Sequence, residues 1–136
     1  MAVEQIFRQH HKVRPFEHRK DRFVDFYLSK IPFDVKTTIF PGQYPHSLVD
    51  AWARPESLIE WLYRNQSREG RMHFCNRLFL ILYDRNHHEH WKLKAEIQFL
   101  KTKIESYLHG FHPQNVYDIC IDTHRVKSDI IWCIKE

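Results

Sequence analysis

At 136 residues, 43% apolar and 15% aromatic, the chain suits one globular domain with a real core and is not of disordered composition. No apolar run approaches the roughly 20 residues of a membrane span, and with only three glycines a glycine-rich phosphate loop or dinucleotide fingerprint is excluded. The formal charge of +4 is compatible with a polyanion partner without designating one, and eleven histidines add positive charge on acidification.

The N-terminal MAVEQIFRQHHK lacks an apolar signal core. Cys75, Cys120 and Cys133 are odd in number, show no C-x-x-C spacing and lie in apolar segments. They read as reduced core residues of a cytoplasmic protein.

In chain order, Val3, Ile6, Phe7 and His10 predict a short helix over 2–12, ended by Pro15. The basic stretch 12–22 follows. Its Arg14, Arg19, Lys20 and Arg22 would form a phosphate-contacting lip, or else a solvated loop. Residues 22–40 read as two strands with a turn at Ser29-Lys30, stopped by Pro41-Gly42. Three charges interrupt this apolar hairpin: Asp25, Asp34 and Lys36.

Alternation sets Asp34 and Lys36 on one face, roughly 7 Å apart along the strand. Pairing of the two strands brings Asp25 close to Asp34. Neighbouring carboxylates repel, which raises a pKa or calls for a cation, and oxygen ligands suit Mg²⁺ or Mn²⁺. A lysine nearby can hold a water or steady a phosphate's charge. The alternative is an edge hairpin with a solvated polar face, where Asp34–Lys36 is a surface ion pair worth at most about 1 kcal/mol.

Further along, a short helix is expected over 47–53 and an amphipathic one over 56–68, ending near Gly70. Leu78 to Tyr83, LFLILY, is the continuous apolar run of a strand covered on both faces. Residues 91–109 return to helical period. Strands over 116–121 and 129–134 then form a terminal hairpin around a polar turn, 122–128.

The string IPFDVKTTIFP, with eight residues between Asp25 and Asp34-Val35-Lys36, resembles the PD-(D/E)xK nuclease superfamily, which includes type II restriction endonucleases. The resemblance implies an α/β, restriction-endonuclease-like mixed β-sheet flanked by helices, filling one domain over 1–136. It implies Asp25 and Asp34 as ligands of Mg²⁺ (or Mn²⁺), the Val35 carbonyl as a further ligand, and Lys36 as the catalytic lysine. A further acid would come from the preceding helix, with Glu4 and Glu17 available. The order helix, strand meander, helix, strand is shared, and only Val13 to Phe16 can supply the first strand. The activity implied is hydrolysis of DNA phosphodiester bonds, with RNA open as substrate. Cleavage of two strands together would call for a homodimer.

Arg68, Arg71, Asn76 and Arg77 enter the apolar strand and could face DNA, arginine and asparagine being the readers of guanine and adenine edges. They could equally be solvated. His87, His88 and His90 fit an exposed polar loop better than a zinc site, since adjacent histidines diverge and no cysteine is near. Asp118, Asp122 and Asp129 read as turn and edge residues that discourage aggregation. Two rivals to the nuclease stand: an inactive nucleic-acid binder on the same fold, and a protein-interaction module using Trp52, Trp61 and Trp91.

Overall fold

The computed structural model describes residues 2–15, 24–65 and 74–136. Six strands form one mixed sheet: β1 (Val13–Pro15), β2 (Phe26–Leu28), β3 (Ile31–Ile39), β4 (Arg77–Asp84), β5 (Tyr117–Ile121) and β6 (His124–Lys135), in the order β1-β2-β3-β4-β6-β5. The first three run as an antiparallel meander, so the predicted first strand exists and is three residues long. β3, β4 and β6 are mutually parallel, and β5 returns antiparallel on β6. The α-helices among the described residues are α1 (Ala2–Arg8), α2 (Leu48–Ala53), α3 (Pro55–Asn65) and α4 (Ile97–His109).

Each face of the sheet buries its own core. On one face, Phe7 of α1 and Leu100, Ile104 and Leu108 of α4 pack on Phe26, Phe33, Leu78, Leu80 and Leu82. On the other, Leu58, Ile59 and Leu62 of α3 pack on Phe79, Ile81 and Ile130. β4 sits between the two helical layers, which is why its apolar run is unbroken: Leu78 to Leu82 are all fully buried.

Local chemistry fixes the element ends. Ser47 and Asp50 form a capping box at the start of α2, and Pro55 opens α3. The Lys12 ammonium donates to the carbonyls of Leu108 and His109, where the α4 dipole is negative.

Several expectations are corrected. The helix predicted over 91–109 is a 3-10 segment over His90–Ala95 followed by α4, with non-helical backbone at Glu96 between them. The terminal turn is only Asp122-Thr123, because the polar residues after it alternate in and out along β6. Cys120 is exposed, since alternation on edge strand β5 turns it outward; Cys75 is half-buried and Cys133 buried, and these three are thiols outside any disulfide. Asp129 is no edge guard left in water: it is half-buried and accepts a hydrogen bond from Tyr107 at 2.8 Å. Asp84 is also inside, accepting the backbone N–H groups of Asn86, His87 and Glu89. No helix among the described residues is long and apolar enough to cross a membrane.

Candidate functional site at the end of the β2–β3 hairpin

The two aspartates meet where β2 gives out. Asp25, just before β2, donates its N–H to the Phe33 carbonyl at 2.8 Å. One residue further the strands splay, and the Asp25 carboxylate takes over as acceptor: its Oδ2 receives the Val35 N–H at 2.8 Å. The N–H and C=O of a strand residue point to the same edge, so the Val35 carbonyl is also set on this side, past the end of the ladder.

Asp34 and Lys36 share the face that carries α3. Val35 and Phe33 belong to the opposite core. Lys36 is exposed, and Asp34 is nearly covered. The expected Asp34–Lys36 surface pair is not what Asp34 makes. Its neighbour in register on β4 is Arg77, whose Nε donates to Asp34 Oδ2 at 2.7 Å. The side chains are only 17% and 12% exposed, so this is a buried ion pair.

Arg77 is itself held on several sides. Its guanidinium lies 5.5 Å from the Tyr63 ring and 5.8 Å from the Phe79 ring, and it donates to Cys75 Sγ at 3.3 Å. The Tyr63 hydroxyl donates to the Cys75 carbonyl, and Ser128 Oγ donates to the Arg77 carbonyl at 2.6 Å. Asn76 ties three strands: Nδ2 donates to the Pro32 carbonyl at 3.1 Å, and Oδ1 accepts the Lys127 N–H at 2.8 Å.

Burial drives the Asp34 carboxyl up to about 6. Arg77 opposes the rise by charge and hydrogen bond, while the neighbouring Asp25 adds to it. The guanidinium is thus paired with one of two neighbouring carboxylates, and the local balance leaves room for another cation.

Glu4 lies on α1, in the layer on the opposite face, apart from the two aspartates. Arg14 is exposed on β1 and donates to the His11 carbonyl at 3.2 Å. Asn76 and Arg77, read as DNA contacts, are engaged inside the protein. Glu17, Arg19, Lys20, Arg22, Arg68 and Arg71 lie outside the described residues. Tyr63 and Cys75 complete the site and carried no sequence signal for it.

The donor chemistry fits a hard cation. Among the described residues no group of three or more His, Cys, Asp or Glu side chains gathers, so an all-protein cage is lacking. Mg²⁺ does not need one: it is held by one or two carboxylates, with waters and phosphate oxygens completing its shell. Comparison with protein-family models, curated proteins and solved structures gave no match.

Proposed function

We propose that this chain is a Mg²⁺-dependent nuclease of the PD-(D/E)xK type that hydrolyses DNA phosphodiester bonds, with RNA as the alternative substrate. The observation that carries the reading is the convergence of Asp25 and Asp34 at the hairpin's open end, with Lys36 exposed on the Asp34 face. The order helix, three-strand meander, helices, parallel strand supports it, being the order that the sequence resemblance implies.

In this reading Asp25, Asp34 and the Val35 carbonyl hold Mg²⁺ (or Mn²⁺), which when bound acidifies a water and offsets charge on the scissile phosphate. Asp25 is oriented by the Val35 N–H. Lys36, free to reach solvent, positions the attacking water and faces the phosphate. Arg77 anchors Asp34 from the protein side and leaves its second oxygen for the metal. Arg14 supplies sequence-independent attraction for the backbone.

The test is cleavage of plasmid DNA with Mg²⁺ or Mn²⁺, expected of the parent and lost in Lys36→Ala. Calorimetric titration of the metal is expected to show binding to the parent and none to Asp34→Ala. No metal binding at millimolar concentration with DNA present would remove the catalytic reading.

One observation favours a second reading. Because Arg77 already neutralises Asp34, the same fold could bind nucleic acid without cutting it. DNA binding at low salt with no metal uptake would select that reading.

A further inference from the structure

The outer edge of β6 is only half covered. β5 pairs with it from His124 to Ser128, so from Asp129 to Lys135 the backbone has β4 on one side and, among the described residues, no strand on the other. Parity decides which groups face out. The Lys135 carbonyl accepts the Arg85 N–H on the β4 side at 3.0 Å. Odd-numbered residues therefore bond inward, and Ile130, Trp132 and Ile134 turn their N–H and C=O outward. Asp129 Oδ1 takes the Ile130 N–H at 2.8 Å. Trp132 and Ile134 keep theirs directed at the open edge.

This edge forms the floor of a groove of about 390 Å³ lined by Leu48, Val49, Trp52, Lys103, Trp132 and Ile134. Val49 and Trp52 of α2 are 73% and 57% exposed, and the Trp52 ring lies 5.3 Å from that of Trp132. An open edge bordered by exposed apolar side chains is a template for another strand.

We propose that the occupant is a second copy of this chain, its β6 pairing antiparallel with this β6 about a two-fold axis through Trp132. The segment 129–135, DIIWCIK, is nearly self-complementary in that register. Ile130 stands opposite Ile134 of the second copy, Ile131 opposite Cys133, and the Asp129 carboxylate opposite the Lys135 ammonium. The charges are positioned beforehand, Asp129 by Tyr107 at 2.8 Å and Lys135 by Glu96 at 2.9 Å. The register also satisfies parity: both members of the 130/134 and 132/132 pairs face outward. A slip of one residue would oppose an outward residue to an inward one. Each copy then donates from Trp132 and Ile134, while the Ile130 N–H stays with Asp129. A foreign strand could use the same edge but would lack this match of charge and register.

The edge lies across β4 from Asp25 and Asp34, and the inference does not depend on the metal reading. The test is sedimentation equilibrium of the full chain, without metal, from low to high micromolar concentration. The expected mass is twice the 16.8 kDa of the chain. Trp52→Lys, on an exposed position, and Ile134→Pro, which removes an outward N–H but no bond to β4, are each expected to weaken the dimer about tenfold or more. Their circular dichroism should match the parent's, and Trp91→Lys, exposed elsewhere, should leave the dimer intact. A monomer at every concentration, or a dimer indifferent to both edge variants, overturns the proposal. A monomer that instead captures extended peptides also overturns it, assigning the edge to a foreign strand.

Discussion

At the scale of single residues, Asp34 is ionised at neutral pH in surroundings that disfavour it. Its carboxyl sits at about 6 in the folded chain against an ordinary 3.8. A folded-state value above the unfolded one means that the native protein binds the proton more tightly. The destabilisation is therefore absent below about pH 4, grows through the interval and is complete above about pH 6. At about 1.4 kcal/mol per unit it amounts to on the order of 3 kcal/mol. Asp34→Asn is expected to gain that much stability on the parent between pH 4 and 7, and urea midpoints that keep a constant gap over the range would refute it. In the proposed metal site, protons would compete with Mg²⁺ for the same carboxylate. Mg²⁺ affinity should therefore fall about tenfold per unit below pH 6, and a pH-independent affinity would remove Asp34 as a ligand. Arg77→Met leaves the covered Asp34 without its counter-charge. A loss of about 3 kcal/mol is expected in urea unfolding at pH 7, with less lost near pH 4, where Asp34 is protonated. Of this chemistry, the approach of the two aspartates was legible in the sequence, because it follows from strand period and turn position alone. The Asp34–Arg77 pair was not, because 43 positions separate the partners and only the parallel crossover brings them into register.

At the scale of elements, legibility follows how much of each signal is local. β4 announced itself because both its faces are buried, and the β2–β3 hairpin because alternation and a tight turn coincide. β6 was half missed. Its first part is polar and alternates against β5, while its second part is nearly continuous in apolar residues, so no single period covers its 12 residues. The break between His90–Ala95 and α4 has no glycine or proline to mark it. The β2–β3 turn holds Ser29 and Lys30 at φ 49° and 67°, the left-handed region that a tight hairpin turn demands and that Asn-Gly meets with less strain. Ser29→Asn with Lys30→Gly is expected to raise the thermal midpoint, by roughly 1 kcal/mol of stability. An unchanged or lower midpoint would show that the turn is not strained.

At the scale of the molecule, the sheet separates two cores, and β4 is the strand they share. Its amides are expected to exchange slowest with solvent and those of the three-residue edge strand β1 fastest, a ranking that native-state hydrogen exchange reads directly. Equal protection across the sheet would mean that the domain opens only as a whole. The sheet with helices on both faces followed from the order of helical and strand periods along the sequence, whereas its mixed strand direction was implied by the family resemblance. The open edge of β6 did not, because it depends on where β5 stops.

The Asp25–Asp34 contact also bears on the order in which the chain assembles. The hairpin that creates it closes over a few residues, whereas the arginine that balances it arrives with β4 and is locked only when Ser128 binds the Arg77 carbonyl. Until then the hairpin holds two like charges together with no guanidinium beside Asp34. The early hairpin is thus self-opposed at neutral pH and relieved by acid, and docking of β4 supplies both the next strand and the missing charge. Refolding is expected to populate the hairpin earlier at pH 4 than at pH 7, an order that pulse-labelled hydrogen exchange would register.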